Sequence, residues 1–208
     1  MKIENTSVMN LEGAIRGARN PLESWEKSDS WKDQSIGTFF FGQKDIDLMQ
    51  RLIKAGTSDS KFMRQIMVCM DVTAPMYWWS EFDTYKVATV ANSTSKMHKL
   101  ASTPITIDCF EMDDFSDNSD IISLWIEDVI PSLEELRQKY NDTKDTRYWK
   151  ELIRLLPESW LQKRTITLDY ATLRNQYFQR RNHKLTEWHT YCKWIESLPY
   201  AKDLICLE

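Results

Sequence analysis

The side chains that could do chemistry are concentrated in one segment, residues 84–100 (TYKVATVANSTSKMHKL). Hydroxyl, amide, ammonium and imidazole groups follow one another there without a glycine. The segment comes after an apolar run that ends at Pro75 and after an aromatic-rich stretch over residues 76–82. A strand, a helix and then a polar loop is a common way to place polar side chains at the edge of a pocket. We therefore expect a functional site near this segment.

A second candidate is a basic cluster near the C-terminal end of the sequence. The cluster consists of Arg174, Arg180 and Arg181. Arg174 and Arg181 are seven residues apart, so both fall on one face of a helix. With Tyr177 and Phe178 between them, this face could hold a phosphate group through planar guanidinium groups. The other interpretation, which the sequence leaves open, is a solvated basic face that pairs with an acidic helix over residues 121–140.

Several common site types do not fit the composition. The last of only five glycines is Gly56, and no glycine-rich phosphate-binding motif is present. His183 and His189 are six residues apart, whereas two ligands on one helix face need a spacing of three or four. The four cysteines include no CxxC pair, so we expect no metal site and reduced thiols.

The charge distribution limits the partners. The formal net charge of −4 argues against a general nucleic-acid-binding protein. Residues 101–145 hold twelve Asp and Glu against three Lys and Arg, whereas residues 146–194 hold ten Lys and Arg against four Asp and Glu. The basic part could hold an anionic small ligand. No apolar run has the length of a membrane span and the N-terminus lacks a signal-peptide core, so we expect a cytoplasmic protein without membrane contact.

The length of 208 residues fits one large domain or a domain with a small appendage. We interpret residues 1–36 as a partly irregular N-terminal lead-in with a short helix near Leu11–Arg19. Residues 37–208 are then a single α+β domain. The adjacent Trp78 and Trp79 indicate core packing more than a stacking platform, because large aromatic side chains dominate buried area.

Hydrophobic periodicity, together with residues that favour the starts and ends of helices and strands, predicts the elements that position these groups. They are a short strand or anchored loop at 38–41, a helix over 45–55, a strand over 63–73, a helix over 75–85, an extended segment at 101–112, a loop at 113–120, a helix over 121–140 that Pro131 could kink, a helix over 146–156, a strand over 164–170, and helices over 171–181 and 184–197.

The segment from residue 72 to residue 100 resembles the signature of the flavin-dependent thymidylate synthases. In that family a strand ends in a small residue followed by proline, and a helix with a conserved dipeptide follows. Ala74-Pro75 and Glu81-Phe82 match these two features. Asn92 and Ser95 match an asparagine and a later serine of the signature.

A second segment, TLRNQYFQRRNHKLTEW, resembles a C-terminal motif of the same family. Arg181 lies at its arginine, and Trp188 lies at its tryptophan. The stretch LLPESWLQKR is similar to a Leu-Pro that precedes a phosphate-binding arginine, a place that Lys163 or Arg164 would fill. The two motifs occur in the family's order and cover residues 62–194.

The resemblance implies an α+β fold with a central, mainly antiparallel sheet flanked by helices. It also implies a homotetramer with active sites between subunits, FAD as cofactor, and the reductive methylation of the pyrimidine nucleotide dUMP with methylene-tetrahydrofolate. The implied nucleotide-binding residues are Glu81, Lys86, Asn92, Ser95 and Arg181. The implied flavin-binding residues are Gln65, at the place of a flavin-contacting histidine, Lys86 and Arg174.

The sequence departs from the family at its most characteristic triplet. Arg-His-Arg is replaced by Thr84-Tyr85-Lys86, and a lysine cannot make a bidentate guanidinium contact. The later Glu-x-Ser-Gly-Arg is replaced by residues 93–97. Three hypotheses therefore stay open: a flavin-dependent methylating enzyme, a non-catalytic relative that binds a nucleotide or a protein partner, and a different flavin or nucleotide reaction on the same fold. His98 could replace a lost catalytic group or serve structure alone.

Overall fold

A computed structural model describes residues 1–113 and 119–208 of the chain. The predicted loop over residues 113–120 therefore lies largely outside the described residues. Six strands are described, β1 (Lys2–Met9), β2 (Trp31–Lys32), β3 (Phe39–Phe40), β4 (Met67–Pro75), β5 (Val90–Ser93) and β6 (Leu161–Asp169). The α-helices are α1 (Leu11–Arg19), α2 (Gln43–Ala55), α3 (Met76–Phe82), α4 (Lys96–Lys99), α5 (Ser119–Leu124), α6 (Ile130–Thr143), α7 (Thr146–Leu155), α8 (Tyr170–Arg180), α9 (Thr186–Glu196) and α10 (Ala201–Leu204).

A four-stranded sheet has the strand order β1-β4-β6-β5, and helices flank it. The short strands β2 and β3 form a separate antiparallel hairpin in which Trp31 pairs with Phe40 and Lys32 with Phe39. The mixed architecture with a mainly antiparallel central sheet confirms the predicted fold class.

The internal contacts divide the chain into two compact units that interleave along the sequence. The first unit comprises Met1–Lys2, Val72–Thr84 and Asn92–Arg164, and the second comprises Ile3–Asp71, Tyr85–Ala91 and Thr165–Glu208. In the first unit a hydrophobic cluster contains Leu100, Ile105, Phe110, Leu133 and Leu152, all nearly inaccessible to solvent. The predicted boundary between a lead-in and a domain at residues 36 and 37 stays a prediction.

Helix α2 illustrates how distant side chains complete a local element. Its periodicity and the following Gly56, with φ of +121°, fit the predicted helix and stop. The backbone N–H groups of Lys44 and Asp45 donate to the carboxylate of Asp29, which therefore satisfies two free donors of the first turn. These two hydrogen bonds hold the pKa of Asp29 below its ordinary value, and the bond from Lys44 has the larger effect. Asp45 itself is buried and does not cap the helix.

The structure corrects the sequence interpretation at several elements. Residues 2–9 form β1 within the sheet, whereas the sequence indicated an irregular lead-in with only one helix. Strand β5 was not predicted. Residues 60–65 form a 3₁₀ turn before β4, so Gln65 precedes the strand in which it was placed. Residues 107–109 form a further 3₁₀ turn within the predicted extended segment.

The long helix predicted over residues 121–140 is interrupted in a different way from that expected. A π-helical turn occupies Trp125–Val129, and Pro131 lies in the first turn of α6. Proline is compatible with that position because its missing N–H would have no partner in the helix. Within residues 1–113 and 119–208, no helix is both long and apolar enough to cross a membrane.

Candidate functional site

The start of helix α3 is fixed by the segment that precedes β6. Strand β4 ends at Pro75, and the backbone N–H groups of Met76 and Tyr77 donate to the carbonyl oxygens of Trp160 and Glu158, at 3.1 and 3.2 Å. Two donors that a helix N-terminus would otherwise leave unsatisfied are thereby paired. The Ala74-Pro75 pair therefore marks a sharply defined change from strand to helix.

The aromatic side chains of α3 are core residues. Trp78, Trp79 and Phe82 are at most 1% exposed, and the rings of Trp78 and Phe82 are stacked with centroids 5.0 Å apart. Trp79 lies edge-on to both rings, and its Nε1–H donates to the carbonyl oxygen of Gln162 at 3.0 Å. The expectation that Trp78 and Trp79 pack in the core is confirmed.

Arg164 lies on the face of Trp79, with its guanidinium carbon 4.1 Å from a ring centroid. Its Nη1 donates to Asp83 Oδ1 at 2.6 Å, and its Nε donates to Gln162 Oε1 at 3.0 Å. The amide of Gln162 donates in turn to the carbonyl oxygen of Thr94 at 2.9 Å. A charged and hydrogen-bonded chain therefore anchors the polar segment at Thr94 to β6.

Thr94 lies between two residues that the resemblance assigns to the nucleotide. The side chain of Asn92 is exposed, and no described residue hydrogen-bonds to it. The hydroxyl of Ser95 accepts a hydrogen bond from the backbone N–H of His98 at 3.3 Å, so Ser95 caps the short helix α4. His98 itself is exposed, and Glu81 is half-buried in α3. In the first unit, the structure therefore places Asn92 and Ser95 on either side of one anchored residue.

Tyr85 occupies the place that the resemblance gives to the family's histidine. Its hydroxyl forms two hydrogen bonds within the second unit. Its hydroxyl donates to Gln179 Oε1 at 2.9 Å and accepts from Arg180 Nε at 2.8 Å. The Arg180 guanidinium also lies 4.8 Å from the ring centroid of Trp188. Sequence reasoning named Arg180 as part of the basic cluster and Tyr85 as part of the altered triplet, but it assigned neither of them a role in the site.

Lys86 follows Tyr85 and is exposed. Within the part of the chain that the structure describes, its ammonium group forms no ion pair and no hydrogen bond. Lys86 is therefore a cation available to an anionic ligand.

Arg174 and Arg181 are brought together over one aromatic ring. Their guanidinium carbons lie 4.7 and 4.8 Å from the ring centroid of Phe178. Arg174 donates to the carbonyl oxygens of Ile205 and Leu207, at 2.8 and 2.5 Å. Burial lowers the pKa of Arg174 below its ordinary value, and the two carbonyl groups compensate part of the desolvation.

The second arginine of this pair has an ionic partner. Arg181 Nη1 donates to Glu208 Oε1 at 2.9 Å, and both side chains are more than a third exposed. Exposed ion pairs of this kind exchange readily with solvent and contribute little to stability. Arg181 can therefore reach an external anion more easily than Arg174 can.

Gln65 lies at the end of the 3₁₀ turn before β4, and its side chain is exposed. Its backbone carbonyl accepts from Asn10 Nδ2 at 3.0 Å, and its side-chain oxygen lies so close to Gly17 that a Cβ there would be only 2.5 Å away. Gln65 is therefore packed against helix α1. The turn that contains Gln65 also packs against α8, the helix that carries Arg174.

No group of three or more His, Cys, Asp or Glu side chains in residues 1–113 and 119–208 is arranged to hold a metal ion. Each unit by itself presents polar groups that can bind an anionic organic ligand: amide and hydroxyl groups in the first unit, and ammonium and guanidinium groups in the second.

Comparison with known proteins finds similarity to solved structures but not to known sequences. No protein-family model and no curated protein sequence matches the chain. The structure is similar to a crystal structure of the flavin-dependent thymidylate synthase of Helicobacter pylori complexed with FAD and dUMP. The TM-score is 0.72 and the identity 18%, with 100% of each chain covered.

A second crystal structure of the Helicobacter pylori synthase with FAD and dUMP gives a TM-score of 0.74 at 18% identity, covering 100% of this chain and 99% of the other. The likeness extends over the whole sequence, so it includes both segments that carry the sequence resemblance. The protein described here therefore has the fold of the flavin-dependent thymidylate synthases.

Proposed function

We propose that this protein binds a pyrimidine nucleotide, with dUMP as the first candidate, and that it is a thymidylate synthase-like enzyme. The reaction would be the reductive methylation of dUMP with methylene-tetrahydrofolate and FAD. The observation that carries the proposal is the full-length likeness to a synthase whose structures contain FAD and dUMP. The ordered sequence matches at Ala74-Pro75, Asn92, Ser95 and Arg181 support it.

Several residues have side-chain groups that suit a nucleotide. The ammonium group of Lys86 lacks a partner among the described residues and is exposed, so it can pair with a phosphate. The amide of Asn92 is exposed and can donate to and accept from a pyrimidine base. Arg181 can exchange its exposed carboxylate partner for a phosphate.

The two further residues expected at the flavin are engaged only in part. Arg174 donates to two backbone carbonyl groups through Nη1 alone, and its other guanidinium nitrogens have no hydrogen-bond partner among the described residues. Gln65 is exposed, and its amide nitrogen likewise has no partner among the described residues. Both residues therefore keep donors that a flavin could accept from, and the reductive chemistry would be supplied by FAD when bound.

The engagement of Arg174 Nη1 by two backbone carbonyl groups is compatible with a second candidate function. A relative that keeps the fold and binds a nucleotide or a protein partner without catalysis would need Lys86 and Asn92 but no flavin site. The replacement of Arg-His-Arg by Thr84-Tyr85-Lys86 points in the same direction, since the remaining cation cannot form a guanidinium fork.

Titrations with the purified protein separate the two candidates. Flavin absorbance, or saturable binding of added FAD, together with dUMP binding is the result expected of the enzyme, and thymidylate formation from dUMP and methylene-tetrahydrofolate would establish its activity. Saturable dUMP binding without any FAD binding would assign the protein to the non-catalytic class. Absence of both FAD and dUMP binding would overturn both nucleotide-based candidates.

The variant Lys86→Ala tests the residue on which the nucleotide proposal depends most. We expect weaker dUMP binding, because a phosphate loses its cationic partner. Lys193→Ala is the matched control, since Lys193 is an exposed lysine of the same unit without a partner among the described residues. Equal loss of dUMP binding in both variants would show a general charge effect and would remove Lys86 from the site.

We also propose that the protein is a cytoplasmic homotetramer, as the resemblance implies. Val87, Val90 and Met97, within or beside the polar segment, are 84%, 67% and 64% exposed. The exposure of several apolar side chains within one short stretch of sequence fits a surface that another molecule covers. Light scattering of the purified protein tests this directly, and a monomer at micromolar concentration would contradict it.

A further inference from the structure

The second unit contains a cavity that the proposed function does not use. Its volume is about 1020 Å³, and it is bordered by β1, the first turns of α1, the β2–β3 hairpin and residues 194–200. This volume is at the upper end of what small-ligand sites occupy. None of the residues assigned above to a nucleotide or flavin lines it.

Aromatic and other apolar residues form part of the wall. Phe39, Trp194 and Tyr200 line the cavity together with Leu198, and Phe40, which also lines it, has its ring stacked on Trp31. Walls of this kind bind planar rings, because stacking adds to the removal of apolar surface from water.

Two of these aromatic side chains are held in place without any ligand. Trp194 Nε1 donates to Thr6 Oγ1 at 3.0 Å, which ties helix α9 to strand β1. The hydroxyl oxygen of Tyr200 accepts from the backbone N–H of Phe41 at 2.9 Å, which ties the end of the hairpin to the segment after α9. The aromatic walls are therefore preorganised, and a ligand would lose little free energy in ordering them.

The charged side chains of the cavity favour an anion. Arg16 and Lys32 both line it, and neither forms an ion pair or hydrogen bond with any described residue. Lys32 lies opposite Phe39 in the hairpin, so a cation and a ring are adjacent across the two strands. Glu12 is the one acidic residue of the described lining, and it forms no ion pair with Arg16, one turn further along α1.

From these observations we infer that the cavity binds an anion of mononucleotide size that carries a planar ring. The aromatic walls contact the ring, and Arg16 and Lys32 pair with a phosphate group. The inference does not depend on the proposed function, because the two sites share no residue. AMP is a suitable probe, since it combines a large planar ring with one phosphate group.

Calorimetric titration with AMP tests the inference, with adenosine and inorganic phosphate as partial ligands. We expect saturable AMP binding, and weaker binding of both partial ligands because each lacks one of the two contacts. In the double variant R16A/K32A, AMP affinity should fall at least about tenfold. The double variant K54A/K61A removes the same charge from exposed positions of the same unit outside the cavity and should bind AMP like the wild type.

Two results would overturn the inference. One is the absence of saturable AMP binding at millimolar concentration, and the other is equal AMP affinity in the wild type and R16A/K32A. Arg16 and Lys32 are exposed, so their removal should leave thermal unfolding unchanged, which circular dichroism verifies. Titration of R16A/K32A and Lys86→Ala with both AMP and dUMP distinguishes the two sites. Lys86→Ala should weaken the binding of dUMP, and R16A/K32A should weaken the binding of AMP.

The tryptophan in the wall gives an independent readout. AMP should change the intrinsic fluorescence of the wild type, and the change should diminish in Trp194→Phe, because Trp194 lines the cavity. A fluorescence change of equal size in Trp194→Phe would place the bound AMP elsewhere and would count against the inference.

Discussion

Arg19 Nε donates to Asp45 Oδ1 at 2.6 Å, and both side chains are almost completely buried. The guanidinium also donates to the carbonyl oxygens of Ser24 and Lys27, and the second carboxylate oxygen accepts from the hydroxyls of Ser28 and Ser30. One ion pair thus connects helix α1, helix α2 and the segment over residues 20–30, which contains two short 3₁₀ turns. The hydrogen-bond partners of both side chains named here belong to the second unit.

The first prediction concerns this ion pair. Asp45→Asn should lower the free energy of unfolding by about 3–5 kcal/mol, because it leaves a buried guanidinium without a compensating charge. Urea denaturation followed by circular dichroism measures the change. Asp47→Asn, at an exposed position of the same helix, is the control and should change stability by less than about 0.5 kcal/mol. A loss below about 1 kcal/mol in Asp45→Asn would contradict the role assigned to the pair.

The second prediction concerns Glu134 of helix α6 and the loss of stability in acid. Hydrogen bonds from Arg137, above all, lower the pKa of Glu134 from 4.5 to about 2. Because the folded-state pKa is depressed, the stabilisation is complete above pH 4.5 and is lost as the pH falls toward 2. The shift corresponds to roughly 2–3 kcal/mol at neutral pH, after allowance for solvent screening at a side chain that is 22% exposed.

Glu134→Gln should therefore destabilise the protein at neutral pH and approach the wild type in stability near pH 2. Urea denaturation at several pH values measures the convergence. Glu135→Gln is the control, since Glu135 is 62% exposed in its pair with Lys139. A constant difference between wild type and Glu134→Gln across this pH range would show that the loss is not electrostatic.

The elements that sequence reasoning placed correctly have a periodic apolar face or clear end signals. Helix α1 has the predicted bounds, and α2 ends before Gly56 as expected. Strand β5 has no such signal, since all four of its residues are exposed and the strand exists through its pairing with β6. Strand β1 was missed because polar residues interrupt its alternation and only three of its residues are half-buried.

The site was less predictable than the fold for a related reason. The family motifs led to Arg174 and Arg181, but their partners are Ile205, Leu207 and Glu208, more than twenty residues away. Spacing along a helix shows which side chains share a face, and it does not show which backbone groups will oppose that face. The contacts of Tyr85 were hidden for the same reason, because Gln179 and Arg180 are more than ninety residues distant.

The third prediction concerns Arg164, which stacks on Trp79 and binds both Asp83 and Gln162. Arg164→Leu keeps an apolar contact with the ring but removes the charge and two hydrogen bonds, so it should cost about 1–2 kcal/mol. Arg164→Lys should restore little, because a lysine lacks the planar group that stacks and donates in two directions.

Thermal and urea unfolding measure the effect of the Arg164 substitutions. Arg147→Leu is the control: Arg147 also binds an aspartate, Asp145, but it is 84% exposed and should contribute less than about 0.5 kcal/mol. Equal losses in the two leucine variants would mean that burial and stacking add nothing to the ion pair of Arg164.

The last prediction concerns Lys86, the single cation that remains at the Arg-His-Arg triplet. Lys86→Arg should strengthen binding of dUMP about tenfold if the side chain meets a phosphate, because a guanidinium group offers two parallel donors where the ammonium offers a point charge. Lys86 is exposed and lacks a partner among the described residues, so the longer side chain should fit without loss of stability. Calorimetric titration of dUMP measures the gain, with Lys193→Arg as control. Unchanged dUMP affinity in Lys86→Arg, beside weaker binding in Lys86→Ala, would show that Lys86 acts through its charge at a distance and does not contact the phosphate directly.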